Sequence, residues 1–402
     1  MKILHVNDYR DAGGCEVVMQ LTVSLLNSHG MDVDTFTSDD VPGYRRTALG
    51  YINSNLCRKK LAEVLHSQQP DVVHLHNFYH ELSPGILKTL ADYKHSHDML
   101  VVMTAHDYHL VCPNSGLSFY KNGKLQIADV SRLKNISYLF SRSWDNRSIA
   151  HSLLKLAQHI YNYRLLKRHS VIDCIICPSK FMRSALSSLD IHTTHIPLPV
   201  PNICNRSIRT NSPLTFVFAG RVEPEKGLAQ FLASVPDDMQ GKFIVIGEGS
   251  ELQLCRDISE QRQLQMEVDF IGKRPRDETL EIINRSHILV LPSVWVENSP
   301  VSLLEALAVG TNVLVSDLGG MKEIVENAGV GFTFSPGGAQ SIVQTLDCVI
   351  ECFNQGTLNK FDVSEFLSKR TEQEYLDRLI SVYKGHSPIS DEANESVEVA
   401  VV

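Results

Sequence analysis

The chain has no apolar run approaching the ~18 residues of a membrane-spanning helix. It has no basic excess either. Lysine and arginine number 38 against 46 acidic residues, a net charge of −8, whereas nucleic-acid binding needs a concentrated basic face. Its nine cysteines cannot all pair, which argues against a secreted disulfide scaffold. After the first apolar run, where a dinucleotide oxidoreductase carries G-x-G-x-x-G, this chain has "DAGGCE". The opening "MKILHVNDY" is too short and too polar for a signal peptide and reads as a first strand. The expected compartment is the cytosol.

What is present is a core large enough for two domains: 402 residues, 43% of them hydrophobic. Strand-like runs alternate with helical patterns. In the first half they are "KILHVN", "DVDTFTS", "DVVHLH", "MLVVMTA" and "VIDCIICPS"; in the second, "LTFVFAG", "KFIVIGEG", "VDFIG", "HILVLPS" and "NVLVSD". Such alternation predicts α/β domains with parallel sheets covered on both faces. Between the halves "HIPLPVPNICNRSIRTNSP" carries four prolines and no period, and reads as a linker. The expected organisation is an N-terminal Rossmann-like domain over 1–198, a linker over 199–212 and a C-terminal Rossmann-like domain over 213–370. A helix over 371–385 and a disordered acidic tail over 386–402 follow. Ligands in such sheets bind at the carboxyl ends of the strands, and two facing domains would share a cleft. Cys174 and Cys177 stand at an odd offset in a strand, which points them to opposite faces and away from chelation. Cys348 and Cys352 share a helix face and read as core.

Four stretches carry candidate chemistry. In "SVWVENSPVSLLEAL", Ser299 suits an N-cap and Pro300 the first helical turn, with Gly310 as the stop. Glu297 then lies in the strand-to-helix loop and Glu305 inside an apolar helix. Two carboxylates beside a helix N-terminus suit a ligand rich in hydroxyls; the alternative is a surface salt bridge for Glu297 and a buried ion pair for Glu305. In "FAGRVEPEKGL", Arg221 and Lys226 bracket a turn at a strand end, where two cations can neutralise a diphosphate; a solvated charged turn looks the same. Gly13 and Gly14 follow the first strand and let backbone approach a ligand at a helix start. His106 ends the run "MTAH" and could bond a hydroxyl or move a proton, unless Asp107 merely holds it. His74, His76 and Asn77 end another strand and read as structural. "DVD" at 32–34 lies in an edge-like strand and is not taken as a metal site.

A fifth stretch, "RSIAHSLLKLAQHIYNYRLLKRHS" over 147–170, carries Arg147, Lys155, Arg164, Lys167 and Arg168 and no acid. Leu153, Leu156, Ala157, Ile160 and Tyr161 recur at helical spacing. It reads either as a core-facing helix with a solvated basic edge or as a dock for anionic lipid.

Together these motifs resemble the family 4 (group 1) retaining glycosyltransferases of GT-B fold, over roughly residues 1–385. The most specific part is "LPSVWVENSPVSLLEALAVGTNVLVSDLGG" at 291–320, similar to the family's E-x7-E block and the Gly-Gly after it. "GRVEPEKG" and "AHD" match in the expected order. The chain departs from the family at "NSP", where a small "GFG"-like stretch is usual. The resemblance implies two Rossmann-like domains facing across a cleft, with an acceptor-side N-terminal and a donor-side C-terminal domain. It implies that Arg221 and Lys226 hold the donor diphosphate and Glu305 the ribose diol. Glu297, with the backbone of Asn298 and Ser299, would face the transferred sugar, as would His106. Gly247, Glu248, Gly249, Gly272 and Lys273 would lie near the base, and the late helix around Tyr375–Tyr383 would cross back to the first domain. No metal or other cofactor is implied. The implied partners are a nucleoside-diphosphate sugar and a glycan or lipid-linked acceptor, in bacterial cell-surface polysaccharide synthesis. Related folds leave an epimerase or a phosphorylase as alternatives, and a non-catalytic nucleotide sensor as another.

Overall fold

A computed structural model describes residues 1–11, 13–200 and 213–386. Most of the expected linker and tail, 201–212 and 387–402, lies outside the described residues. The chain forms two compact units: Met1–Leu198 together with the chain from Gln373 on, and Pro199–Glu372.

The first unit contains β1 (Lys2–Val6), β2 (Asp32–Phe36), β3 (Val72–Leu75), β4 (Leu100–Thr104), β5 (Ser118–Lys121), β6 (Lys124–Ile127), β7 (Cys174–Cys177) and β8 (His192–His195). Six of these form a parallel sheet in the order β2-β1-β3-β4-β7-β8. Every residue of β3 and β7 is buried, as strands covered on both faces require. Asp32 and Asp34 are exposed on edge strand β2. β5 and β6 form a separate antiparallel hairpin. Asn122 and Gly123 turn it, both at positive φ (53° and 74°), the conformation that an Asn-Gly turn between paired strands demands. The helix Glu372–Tyr383 completes this unit. Its Tyr375, Leu376, Leu379, Val382 and Tyr383 pack with Ile3, Leu26, Val72 and Val102 in one core, and the Tyr375 hydroxyl meets that of Thr22 at 2.9 Å.

The second unit contains β9 (Thr215–Ala219), β10 (Lys242–Ile246), β11 (Glu267–Gly272), β12 (Ile288–Leu291), β13 (Asn312–Ser316) and β14 (Phe332–Phe334), a parallel sheet in the order β11-β10-β9-β12-β13-β14. Its core is aromatic at the centre, with Phe216, Phe218, Phe231 and Phe243 at most 1% exposed. In the helix Ala339–Asn354 the buried line is Ile342, Leu346 and Val349. Cys348 lies off that line and is exposed, and Cys352 is half-buried, so Cys348 is not the core residue expected.

Strand order locates the ligand crevices. Chain order reverses direction between β1 and β3 in the first sheet and between β9 and β12 in the second. At such a switch point the two connecting loops leave in opposite directions and open a crevice at the carboxyl ends of the strands.

Candidate functional site

In the second unit the loops after β9 and β12 bring Lys226 and Glu297 together. Lys226 Nζ lies 2.5 Å from Glu297 Oε1, and the ammonium sits 5.3 Å from the centre of the Trp295 ring. The same Oε1 accepts from Ser293 Oγ at 2.9 Å and Trp295 Nε1 at 2.8 Å. Burial pushes the Glu297 carboxyl up, but the Lys226 ammonium and these donors hold it below the usual glutamate value. With three donors on Oε1, Oε2 is left for a further donor such as a hydroxyl. Arg221 is more than half exposed and pairs with Glu225 at 3.1 Å.

Two glycines fix this loop pair. Gly247, after β10, has φ 141°, and a Cβ there would fall 1.8 Å from the Gly220 carbonyl oxygen. Only glycine admits that approach, so the chain beside Arg221 rests directly on the backbone after β10. Gly320, in the Gly-Gly after β13, would place a Cβ 1.4 Å from the Asn298 carbonyl oxygen, and its own N–H donates to the Glu297 carbonyl at 2.9 Å. The start of the helix Gly319–Ala328 thereby clamps the loop that carries Glu297 and Asn298.

The helix after Glu297 runs Val301–Ala308, with Pro300 at the cap position. This corrects the expected start. Pro300 has ψ 124° and stays outside the helix, and Ser299 forms no cap: its hydroxyl is buried without a hydrogen-bond partner among the described residues. Gly310, at φ 74°, follows the helix end. Glu305, 6% exposed, accepts from Arg276 Nε at 2.9 Å and Nη2 at 2.7 Å, both on Oε1. Burial raises its carboxyl above the ordinary value, against the pull of the guanidinium. Arg276 is half exposed and opens the helix Arg276–Arg285, just after β11. Sequence reasoning named Lys273, which is exposed, and missed Arg276. The basic cluster "GKRPR" at a strand's carboxyl end was the available signal.

In the first unit, Gly13 is the extended cap residue of the helix Gly14–Ser28, and a Cβ on it would meet Glu16 Oε2 at 3.6 Å, an ordinary contact. His106 is half-buried two residues past β4. Asp107 does not hold it. That carboxylate accepts from His109 Nδ1 at 2.7 Å and the Tyr79 hydroxyl at 2.8 Å. Instead His106 Nε2 bonds His76 Nδ1 at 2.9 Å, and His76 Nε2 bonds His5 Nδ1 at 2.9 Å. Burial lowers His106 to about 4 and His5 to about 3, and carries His76 well below the ordinary histidine value. All three imidazoles are therefore neutral near pH 7. His5, His74 and His76 lie close enough to surround a metal ion, but the nitrogens of His76 are already bonded to its neighbours.

The 147–170 stretch departs from its sequence reading. A helix spans Ile149–His159 and continues as a π turn over Ile160–Leu165. Its buried face is mainly polar. Gln158 donates to the carbonyls of Tyr51 and Tyr79, and Asn162 to that of Ile52. Of the expected apolar stripe only Leu156 is buried. Ile149, Leu153, Ala157, Tyr161 and Leu165, each four residues from the last, are all exposed. The cations are largely engaged: Arg147 and Lys155 pair with Asp145, Arg164 donates to the Leu133 carbonyl, and Arg168 to Asn53 and Asn162. Among the described residues no helix is long and apolar enough to cross a membrane.

Comparison with known proteins adds a family match. Residues 203–360 match the family described as "Glycosyl transferases group 1", and residues 12–201 match "Glycosyltransferase Family 4". The chain spans about a third of the length of the first curated relatives it matches. One relative, 25% identical over 43% of this chain and 48% of its own length, is the UDP-Gal:alpha-D-GlcNAc-diphosphoundecaprenol alpha-1,3-galactosyltransferase of Escherichia coli. Among solved structures, sucrose-phosphate synthase from Thermosynechococcus elongatus covers 96% of this chain and 98% of its own at TM-score 0.69 and 16% identity. HepE from Anabaena, in complex with UDP-glucose, covers 96% and 99% at TM-score 0.61 and 16% identity. At these identities the likeness establishes the fold, which is GT-B.

Proposed function

The chain belongs to the family 4 (group 1) glycosyltransferases, and from that premise we propose that it moves a sugar from a nucleoside diphosphate to an acceptor hydroxyl with anomeric configuration retained. The observation that carries this reading is the Lys226–Glu297 contact at the β9/β12 switch point. It brings together a cation suited to a phosphate and a carboxylate suited to a sugar hydroxyl, which supports a donor site there. Lys226 and Arg221 hold the diphosphate and stabilise it as it departs. Glu305 takes the ribose diol, and Arg276 yields part of its hydrogen bonding to that ligand. Glu297 Oε2, Asn298 and Ser299 address the sugar, with the unpaired Ser299 hydroxyl as a further donor or acceptor. His106, past β4 in the first unit, addresses a sugar hydroxyl. The bond from the anomeric carbon to the phosphate oxygen breaks, and the acceptor oxygen bonds that carbon on the same face. The acceptor proton passes to the departing phosphate. In this reading the two side-chain cations take the place a metal holds elsewhere.

The E. coli relative, by its name, uses UDP-Gal and a diphosphoundecaprenol-linked acceptor, and HepE was solved with UDP-glucose. Both support a nucleotide-sugar donor for this chain. A lipid-linked acceptor is further supported by the exposed apolar row from Ile149 to Leu165, which suits shallow insertion at a membrane face. The assigning experiment is a thermal-shift panel of UDP, GDP, ADP and their sugars. The cognate ligand at about 100 times its dissociation constant adds about 2.7 kcal/mol of stability. A folded protein indifferent to every member of the panel overturns the donor reading.

A further inference from the structure

The three strands β1, β3 and β4 lie side by side, and their histidines form a file that no spacing in the sequence reveals. His5 stands in β1, opposite His74 of β3. His76 follows β3, and His106 follows β4. The rings of His5 and His76, and of His76 and His106, are stacked with centroids 5.2 Å apart at 23° in each pair. His74 stacks on His76 at 4.6 Å and 17°. Its own nitrogens are occupied by the Tyr383 hydroxyl at 2.5 Å and Thr104 Oγ1 at 2.8 Å. His76 is thus packed by a ring that cannot turn without losing two hydrogen bonds.

We infer that His5, His76 and His106 act as one hydrogen-bonded file that fixes the tautomer and ring orientation of His106, with His76 as its positioning residue, and that His106 presents an Nδ1–H donor to a sugar oxygen. The assignment rests on the proposed role of His106 toward a sugar hydroxyl. A neutral imidazole has one donor and one acceptor nitrogen, so the protons of the file are ordered together. Either each ring donates outward, from His5 to His76 to His106, or each donates inward. His5 Nε2 is buried without a partner among the described residues. Inward order would leave it a buried N–H with no acceptor among the described residues, and, as for backbone groups, orphaned N–H donors are rarer than under-satisfied acceptors. Outward order leaves it a bare lone pair. Outward order therefore holds, His106 Nε2 accepts, and its proton sits on Nδ1. Neutral and protonated there, His106 serves as a hydrogen-bond donor and not as the base that takes the acceptor's proton.

The test uses the full chain labelled with 15N-histidine. Long-range 1H–15N spectra of the rings, with His106 assigned by its loss in His106→Ala, are expected to show a single His106 tautomer protonated at Nδ1. Two substitutions separate positioning from packing. The amide of Asn reaches the place of Nδ1 and keeps the bond to His106; that of Gln reaches the place of Nε2 and keeps only the bond to His5. His76→Gln should mix the His106 tautomers and lower kcat on the order of tenfold with the donor KM little changed. His76→Asn should restore both. A wild-type His106 protonated at Nε2, or present as two tautomers, overturns the inference whatever the variants do, as does equal behaviour of the Asn and Gln proteins. Turnover of His106→Ala separately decides the functional reading underneath, so the two failures are distinguishable.

Discussion

Lys226 and Glu297 stand 71 residues apart in the chain and meet at 2.5 Å. The turn after β9 supplies one and the loop after β12 the other. The pair couples stability to the same groups that are proposed to address the ligand. Glu297 has a depressed carboxyl, so its contribution to stability is present above the ordinary glutamate value near 4.5 and is lost as pH falls through the lower folded value. Lys226→Ala should remove that acid-side slope and cost roughly 1–3 kcal/mol, the scale of leaving a buried polar group without its partner. Urea unfolding at several pH values between 3 and 7 checks both.

His106→Ala should cut turnover while leaving nucleoside diphosphate affinity nearly intact, because the residue belongs to the other unit. Burial lowers His106 to about 4, so its ionisation lies below the working range. The kcat/KM profile of the wild type should therefore show no inflection from this residue between pH 5 and 8. A basic-side dependence that disappears in His106→Ala would contradict the neutral-donor role.

The exposed row on the helix from Ile149 predicts a membrane contact driven by apolar insertion more than by charge. Full burial of one leucine or isoleucine side chain is worth roughly 1.5–3 kcal/mol. An Ile149/Leu153/Leu165→Glu triple variant should thus lose vesicle binding by tenfold or more. Arg147→Gln should change it little, because Asp145 already holds that cation. Co-sedimentation with vesicles containing anionic lipid, at low and high salt, reads the difference. Wild type that ignores such vesicles, or a triple variant that binds them equally, rules the contact out.

What the sequence revealed follows from what repeats along it. Parallel strands buried on both faces read as continuous apolar runs, and E-x7-E survives as a spacing because one loop and one helix carry it. The Asn-Gly turn at Asn122–Gly123 marks a hairpin in the sequence, but its strands "SFYK" and "KLQI" are too short and mixed to read as strands. β8 and β14 escaped for a similar reason: both are edge strands of four residues or fewer, with little apolar signal in "HTTH". Partners set by the register of neighbouring strands left no trace. His76 reads as an ordinary buried histidine until β3 and β4 are laid side by side, and Arg276 meets Glu305 from 29 residues away. Helical period identified the apolar line of Leu153, Ala157 and Tyr161, but not its side. Gln158 and Asn162 decide that, by bonding carbonyls of the first unit that only the fold brings within reach.

The most direct measurement is calorimetric titration of the cognate nucleoside diphosphate into wild type and Glu305→Gln. Glu305 has a raised carboxyl, so its share of stability is full below the ordinary value and lost as pH rises through the folded one. The unliganded variant should accordingly be as stable at pH 7 as wild type, or more so, with the half-exposed Arg276 free to meet solvent. Nucleotide binding should nonetheless weaken by roughly 1.5–3 kcal/mol, the scale of a charge-assisted hydrogen bond. A folded Glu305→Gln protein that binds the nucleotide with unchanged affinity would contradict the assignment of this carboxylate to the donor, and with it the proposed donor site.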